Sequence, residues 1–94
     1  MTFPETLAWL RETFPVRRKV LVRLRSCRRI HGSTAFGETG LITVTINKDD
    51  DQSVQKHSLI HEWAHVLQHD NQCEPHGLVW EHFYGEIYRA WEKA

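Results

Sequence analysis

With 94 residues, twelve Lys and Arg balanced by twelve Asp and Glu, and 40% hydrophobic residues, the chain has room for one domain with a modest core and not for two. No apolar run approaches the roughly 20 residues that span a bilayer, and the opening MTFPETLAWLRETFP lacks a basic leader and a cleavage pattern, so a cytoplasmic protein without a secretory signal is expected. Cys27 and Cys73 lie far apart with no CxxC, which argues against a zinc ribbon or a disulfide framework and for two reduced thiols.

The first element is a helix opening at Thr2-Phe3-Pro4-Glu5, with Thr2 as cap and Leu7, Leu10 and Phe14 on one face. Pro15 ends it. From Lys19 to Asn47 the period changes to two, which predicts strands over Lys19 to Ser26, Arg29 to Phe36 and Leu41 to Asn47, the last two joined by the turn Gly37 to Gly40. In the first strand Val20, Val22 and Leu24 are expected to point inward, and Leu21, Arg23 and Arg25 outward. Seven of the twelve basic residues fall between Arg17 and Arg29, a solvated strand face that could also meet nucleic acid or an acidic partner, although that partner is not the favoured one. Asp49, Asp50 and Asp51 form the acidic pole and suit the N-terminus of the next helix. On that helix Leu59, Trp63, Val66 and Leu67 make the apolar stripe, widened by Ile60 and Ala64. Asp70 to Gln72 break the pattern, and a final helix over Pro75 to Glu92 offers Val79, Phe83, Ile87 and Trp91 as its buried side. The expectation is a single α+β domain over residues 1–94.

The segment Ser58 to Phe83 holds five of the seven histidines, and HEWAH, residues 61–65, matches HExxH. Histidines at i and i+4 of a helix project from one face about 6 Å apart and can share a zinc ion. Glu62 is turned about 100° around the helix from His61 and is placed to handle a proton rather than to bind the metal. The pattern would arise by chance in about 4% of chains of this composition, so its context has to support it. The context is a strongly periodic helix, a strand-rich segment before it, and a second helix after it that can return a third ligand. His69 lies about 12 Å beyond His61 along a continuous helix, too far to share a metal, and is read as a helix-end histidine. His57 is read as solvated. His76, at the start of the final helix, is the best-placed third ligand, with Glu81 and Glu86 as rivals.

HEWAH followed by HGLVW resembles the HExxH plus HGxxW signature of SprT-like zinc metallopeptidases, especially the small single-domain versions of bacteriophages and bacteria. The motif match runs from about Leu59 to Trp91, and the upstream helix and strands match in order rather than in sequence. The resemblance implies that His61, His65 and His76 hold one Zn2+ per chain and that Glu62 is the general base of peptide-bond hydrolysis, with a protein or peptide as substrate. It implies a minimal zincin-like fold, three strands packed beside two helices that carry the site. Tyr84, Tyr88 and His82 are candidates for a further donor to the tetrahedral oxyanion. Larger relatives carry a C-terminal zinc-binding region that this sequence does not show, so a DNA-linked role is not part of the expectation. In proteins of the zincin type the substrate adds as a strand to a sheet edge beside the metal. Here the edge is expected at His31 to Phe36, and proline at Ser33 or Ala35 is expected to block the addition. Two other readings compete: a zinc-stabilised module that binds nucleic acid or protein without catalysis, and a metal-free interaction protein.

Overall fold

The computed structural model describes residues 1–70 and 78–94. Its elements run α1 (Phe3–Thr13), β1 (Val20–Arg25), β2 (Gly32–Phe36), β3 (Ile42–Asn47), α2 (Gln52–Asp70) and α3 (Leu78–Lys93), an α+β arrangement of three helices and one three-stranded mixed sheet.

α1 starts where the sequence places it because Thr2 and Glu5 close a capping box: the Thr2 hydroxyl accepts from the Glu5 amide, and the Glu5 carboxylate accepts from the Thr2 amide. Phe3, one of the amides a helix start leaves unpaired, donates to Gln52 Oε1 at 2.8 Å and so ties α1 to the first turn of α2. Phe3, Thr6 and Leu10 are buried, with Leu7 packed beside them, so the inner face begins one turn earlier than Leu7 to Phe14 alone suggests. At the far end the Trp63 indole donates to the Phe14 carbonyl at 3.0 Å, joining the α1 C-terminus to the middle of α2. Truncating this fully buried ring to alanine would cost about 3–5 kcal/mol.

The strand order is β1-β3-β2, with β1 parallel and β2 antiparallel to β3, so β2 is a sheet edge as expected and β1 is the other. Ile42, Val44 and Ile46 of β3 point into the core with Val20 and Val22 of β1, and they meet Leu59, Ile60, Trp63, Ala64, Val66 and Leu67 from α2. The expected inner position of Leu24 is not realised: it remains 45% exposed. α2 crosses β3 and β2 but not β1, and the connection through Pro15 and Val16 covers only the Val20 end of β1. Among the described residues no helix therefore covers Leu24.

β1 and β2 are shorter than the periodicity suggests because the chain turns between them. Arg29 adopts a left-handed conformation (φ 66°), and the Asn47 side chain donates to the carbonyls of Cys27 and Ile30. After Phe36 the tight turn closes with Gly40 at φ +88°, where a side chain would be strained. The three aspartates divide their work. Asp51 accepts from the Val54 amide at the start of α2, whereas Asp49 accepts from Ser26 and Asp50 from the His31 ring. Among the described elements α3 packs on α2 through Ile87, with Phe83, Tyr84, Tyr88 and Trp91 at its flanks. Residues 75–77 of the expected final helix and the side chain of Val79 lie outside the described residues. No described helix is long and apolar enough to cross a membrane.

Candidate active site

His61, Glu62 and His65 lie in the middle of α2, where the apolar stripe turns one face to the sheet and leaves the histidines toward α3. The two imidazole rings stand 5.1 Å apart, centroid to centroid, at 68°. Two imidazoles on one tetrahedral zinc, each nitrogen about 2 Å from the metal, would have centroids about 5 Å apart, so the pair fits the ion. Trp80 of α3 packs against both rings, at 5.1 Å from His61 and 5.3 Å from His65, and stacks on Tyr84 at 5.1 Å. This aromatic wall restrains the rings on the α3 side.

A zinc that retains an open position needs three protein ligands. Among the described residues no third His, Cys, Asp or Glu joins the pair. Glu81 is exposed, and Glu86 is engaged 3.1 Å from His82 on the outside of α3, so neither rival stands with the histidines. His76 lies outside the described residues, as does Cys73. His69 is separate from the pair: its Nε2 accepts from Arg18 at 2.7 Å, and its ring stacks on Phe36 at 3.8 Å. The reading of His57 as solvated is corrected. Its Nδ1 shares a 2.8 Å hydrogen bond with the Tyr88 hydroxyl, and its ring meets the edge of Trp91, because α3 returns along the first half of α2.

Glu62 faces the sheet rather than solvent, at 7% exposure. Its Oε1 accepts from the Thr34 hydroxyl of β2 at 2.7 Å, and its Oε2 lies 3.8 Å from His61 Nε2. A buried carboxylate needs such a donor to offset lost hydration. Gly32, the next inward position of β2, is closely packed on the sheet beside Glu62. A Cβ there would stand 3.1 Å from Ile46 Cδ1, 3.2 Å from the Thr45 carbonyl and 3.4 Å from Glu62 Cγ.

Between the β1–β2 loop, the first half of α2 and Tyr84 lies a cleft of about 680 Å³, with His61 and Glu62 on its floor and Ile30, His31, Val54, His57 and Ser58 around it. Asn47 builds its rim by holding the loop, and His31 is fixed on Asp50 at 2.7 Å. Of the three expected oxyanion donors, Tyr84 lines this cleft, with its ring 5.9 Å from that of His61. Tyr88 is occupied by His57, and His82 is exposed.

The hydrogen-bond phase of the edge overturns one expectation. Asn47 donates to His31 and Gly37 to Leu41, so in the alternation of an antiparallel ladder Ser33 and Ala35 are the residues bonded to β3. The backbone groups that face the open edge belong to Gly32, Thr34 and Phe36. Proline at Ser33 or Ala35 would break the sheet, not block its edge. Sequence reasoning missed Thr34 and Asn47 because each acts on a partner distant in the chain; Trp80 belongs to the HGLVW motif, but its packing against both histidine rings was not foreseen. Comparison with known proteins finds no matching family model, no matching curated protein and no matching solved structure.

Proposed function

We propose that the protein is a zinc-dependent peptidase of zincin-like fold, the reading that HEWAH and HGLVW also suggest by resemblance. The observation that supports it most is the buried Glu62 carboxylate, held by Thr34 beside two imidazoles at a zinc-compatible separation, on the floor of an open cleft. A proton-accepting carboxylate beside an open cleft fits a catalytic zinc, which keeps a position for water, better than a closed structural one. His61 and His65 would hold the ion, with His76 proposed as the third ligand. When bound, zinc supplies a Lewis acid that brings the pKa of a water toward 7 and polarises a carbonyl.

This chain's residues then divide the remaining work. Glu62 accepts the proton of the attacking water as the new C–O bond forms, and returns it to the amide nitrogen as the C–N bond breaks. Tyr84 is proposed to donate its phenolic proton in a hydrogen bond to the oxyanion. The substrate backbone is proposed to pair with the outward groups of Thr34 and Phe36, with one side chain lying in the cleft between Val54, Ile30 and Tyr84.

The test measures metal content and hydrolysis of an unfolded protein on the same preparations. Wild type is expected to carry one zinc per chain and to hydrolyse. Glu62→Gln is expected to retain the zinc and lose activity by about 10²- to 10⁴-fold, because the amide cannot accept the proton. Protein that takes up no zinc, or full activity in Glu62→Gln, would overturn the proposal.

A further inference from the structure

The bond between Thr34 and Glu62 joins residues on different layers of the fold, and its geometry distinguishes the two carboxylate oxygens. We propose that Thr34 is a positioning residue for Glu62: its hydroxyl fixes Oε1, so that Oε2, on the His61 side, is the oxygen that carries the proton. The inference rests on the peptidase reading for its catalytic consequence and on the geometry alone for the pairing.

Three features make this more than an incidental contact. Glu62 is nearly excluded from water, so the 2.7 Å hydrogen bond from Thr34 is a main restraint on the carboxylate's rotation. Thr34 is itself restrained. Its β-branched side chain has few rotamers, and its neighbours Ser33 and Ala35 are both laddered to β3, so the hydroxyl has little freedom to follow a drifting carboxylate. Gly32, the next inward residue of β2, is packed so closely on the sheet that a Cβ would meet Ile46 Cδ1 at 3.1 Å and the Thr45 carbonyl at 3.2 Å, so the strand beside Glu62 is held tightly. Together these hold one oxygen against the sheet and leave the other 3.8 Å from His61 Nε2, on the histidine side of the cleft. The same residue turns its backbone N–H and C=O to the open edge. A substrate strand paired there would have its register set by the residue that orients the base.

The side chain and the backbone of Thr34 can be separated by substitution. Thr34→Val keeps the shape and the β-branch and removes the hydroxyl, and Thr34→Ser restores it. Thr34→Val is expected to keep its zinc, to lower kcat by about 10- to 100-fold and to leave KM within about threefold, since the error is in orientation and not in binding. Thr34→Ser is expected to recover kcat to within about threefold of wild type. A Val variant with unchanged kcat, a loss confined to KM, or a Ser variant no better than Val would overturn the proposal. Thermal unfolding of wild type, Thr34→Val, Glu62→Ala and the double variant supplies a readout independent of hydrolysis, since alanine removes the acceptor that glutamine would keep. The two changes are expected to be non-additive, and additivity would refute the pairing. If zinc-loaded wild type cleaves no peptide, the peptidase reading fails on its own, and the unfolding cycle still decides whether Thr34 holds Glu62.

Discussion

Both outer strands of the sheet present an edge that no other described strand pairs with, yet β1 and β2 differ in what stands behind them. Among the described elements β1 packs mainly on β3, carries exposed Arg23 and Arg25, and leaves Leu21 and Leu24 nearly half exposed. Its charges resist the pairing that an open edge invites. β2 is small and nearly uncharged, GSTAF, and α2 runs beneath it with Glu62 in hydrogen-bond contact. An open edge becomes a candidate substrate surface when a reactive group lies within reach of its backbone. On that criterion only β2 qualifies.

The largest effect is expected from removing the proposed metal ligands, which would leave β2 an edge without the proposed chemistry behind it. His61→Ala and His65→Ala should each abolish stable zinc uptake, because the remaining ligands cannot hold a catalytic ion firmly. His76→Ala should do the same, whereas Glu86→Ala should leave uptake intact because Glu86 is engaged with His82. Metal analysis after dialysis against trace zinc checks all four. Loss in Glu86→Ala with retention in His76→Ala would move the third ligand.

A finer test separates the two backbone phases of β2. Ala35→Pro removes a ladder bond to β3 and should cost about 1–3 kcal/mol, a fall in Tm of roughly 4–8 °C per kcal/mol for a chain of this size. Phe36→Pro removes only an outward amide, so it should unfold close to Phe36→Ala, the control for the lost ring stack on His69. It should nonetheless raise KM by about tenfold relative to that control, equivalent to one substrate hydrogen bond of about 1.4 kcal/mol. Equal KM in the two Phe36 variants would mean that the substrate does not pair with this edge. On β1, Arg23→Ala loses the bond to Thr45 Oγ1 and should leave KM unchanged, with a stability change of at most about 1 kcal/mol.

What the sequence made legible follows the range of the interactions. The cap at Thr2, the stop at Pro15, the turn at Gly37 to Gly40 and the stripe Leu59 to Leu67 are local patterns, and each element formed where its pattern lay. The pair His61 and His65 was legible for the same reason, since a spacing of four on a helix fixes a shared face. The rest depends on partners far along the chain. Thr34 meets Glu62 across 28 residues and His57 meets Tyr88 across 31, so neither partner could be named from spacing. The phase of the β2 edge is set by bonds at Asn47 and Gly37, and the alternation of side chains says nothing about which amides face outward. Leu24 follows the alternation of β1 but lies where no described helix crosses.

The smallest expected effect concerns the cleft that separates the β2 side from α3. Tyr88 holds His57 at its far end, and the Tyr88 hydroxyl is pushed above its ordinary value of 10.0 by burial first and by the neighbouring Tyr84 and Glu92 second. A raised folded pKa means that the folded chain keeps this proton after the unfolded chain has released it. The associated stability is therefore complete below pH 10 and is lost as pH rises from there through the folded value. Tyr88→Phe should begin less stable than wild type at neutral pH by about 0.5–1.5 kcal/mol, the net worth of the lost hydrogen bond. It lacks the ionisable group, so it should be spared that part of the alkaline loss, and the gap should narrow as pH passes 10. Urea midpoints for the two proteins at neutral pH and at several values above 10 measure this directly. A gap that stays constant through that range would show that Tyr88 ionises alike in both states, and that α3 does not shield this end of the cleft from water.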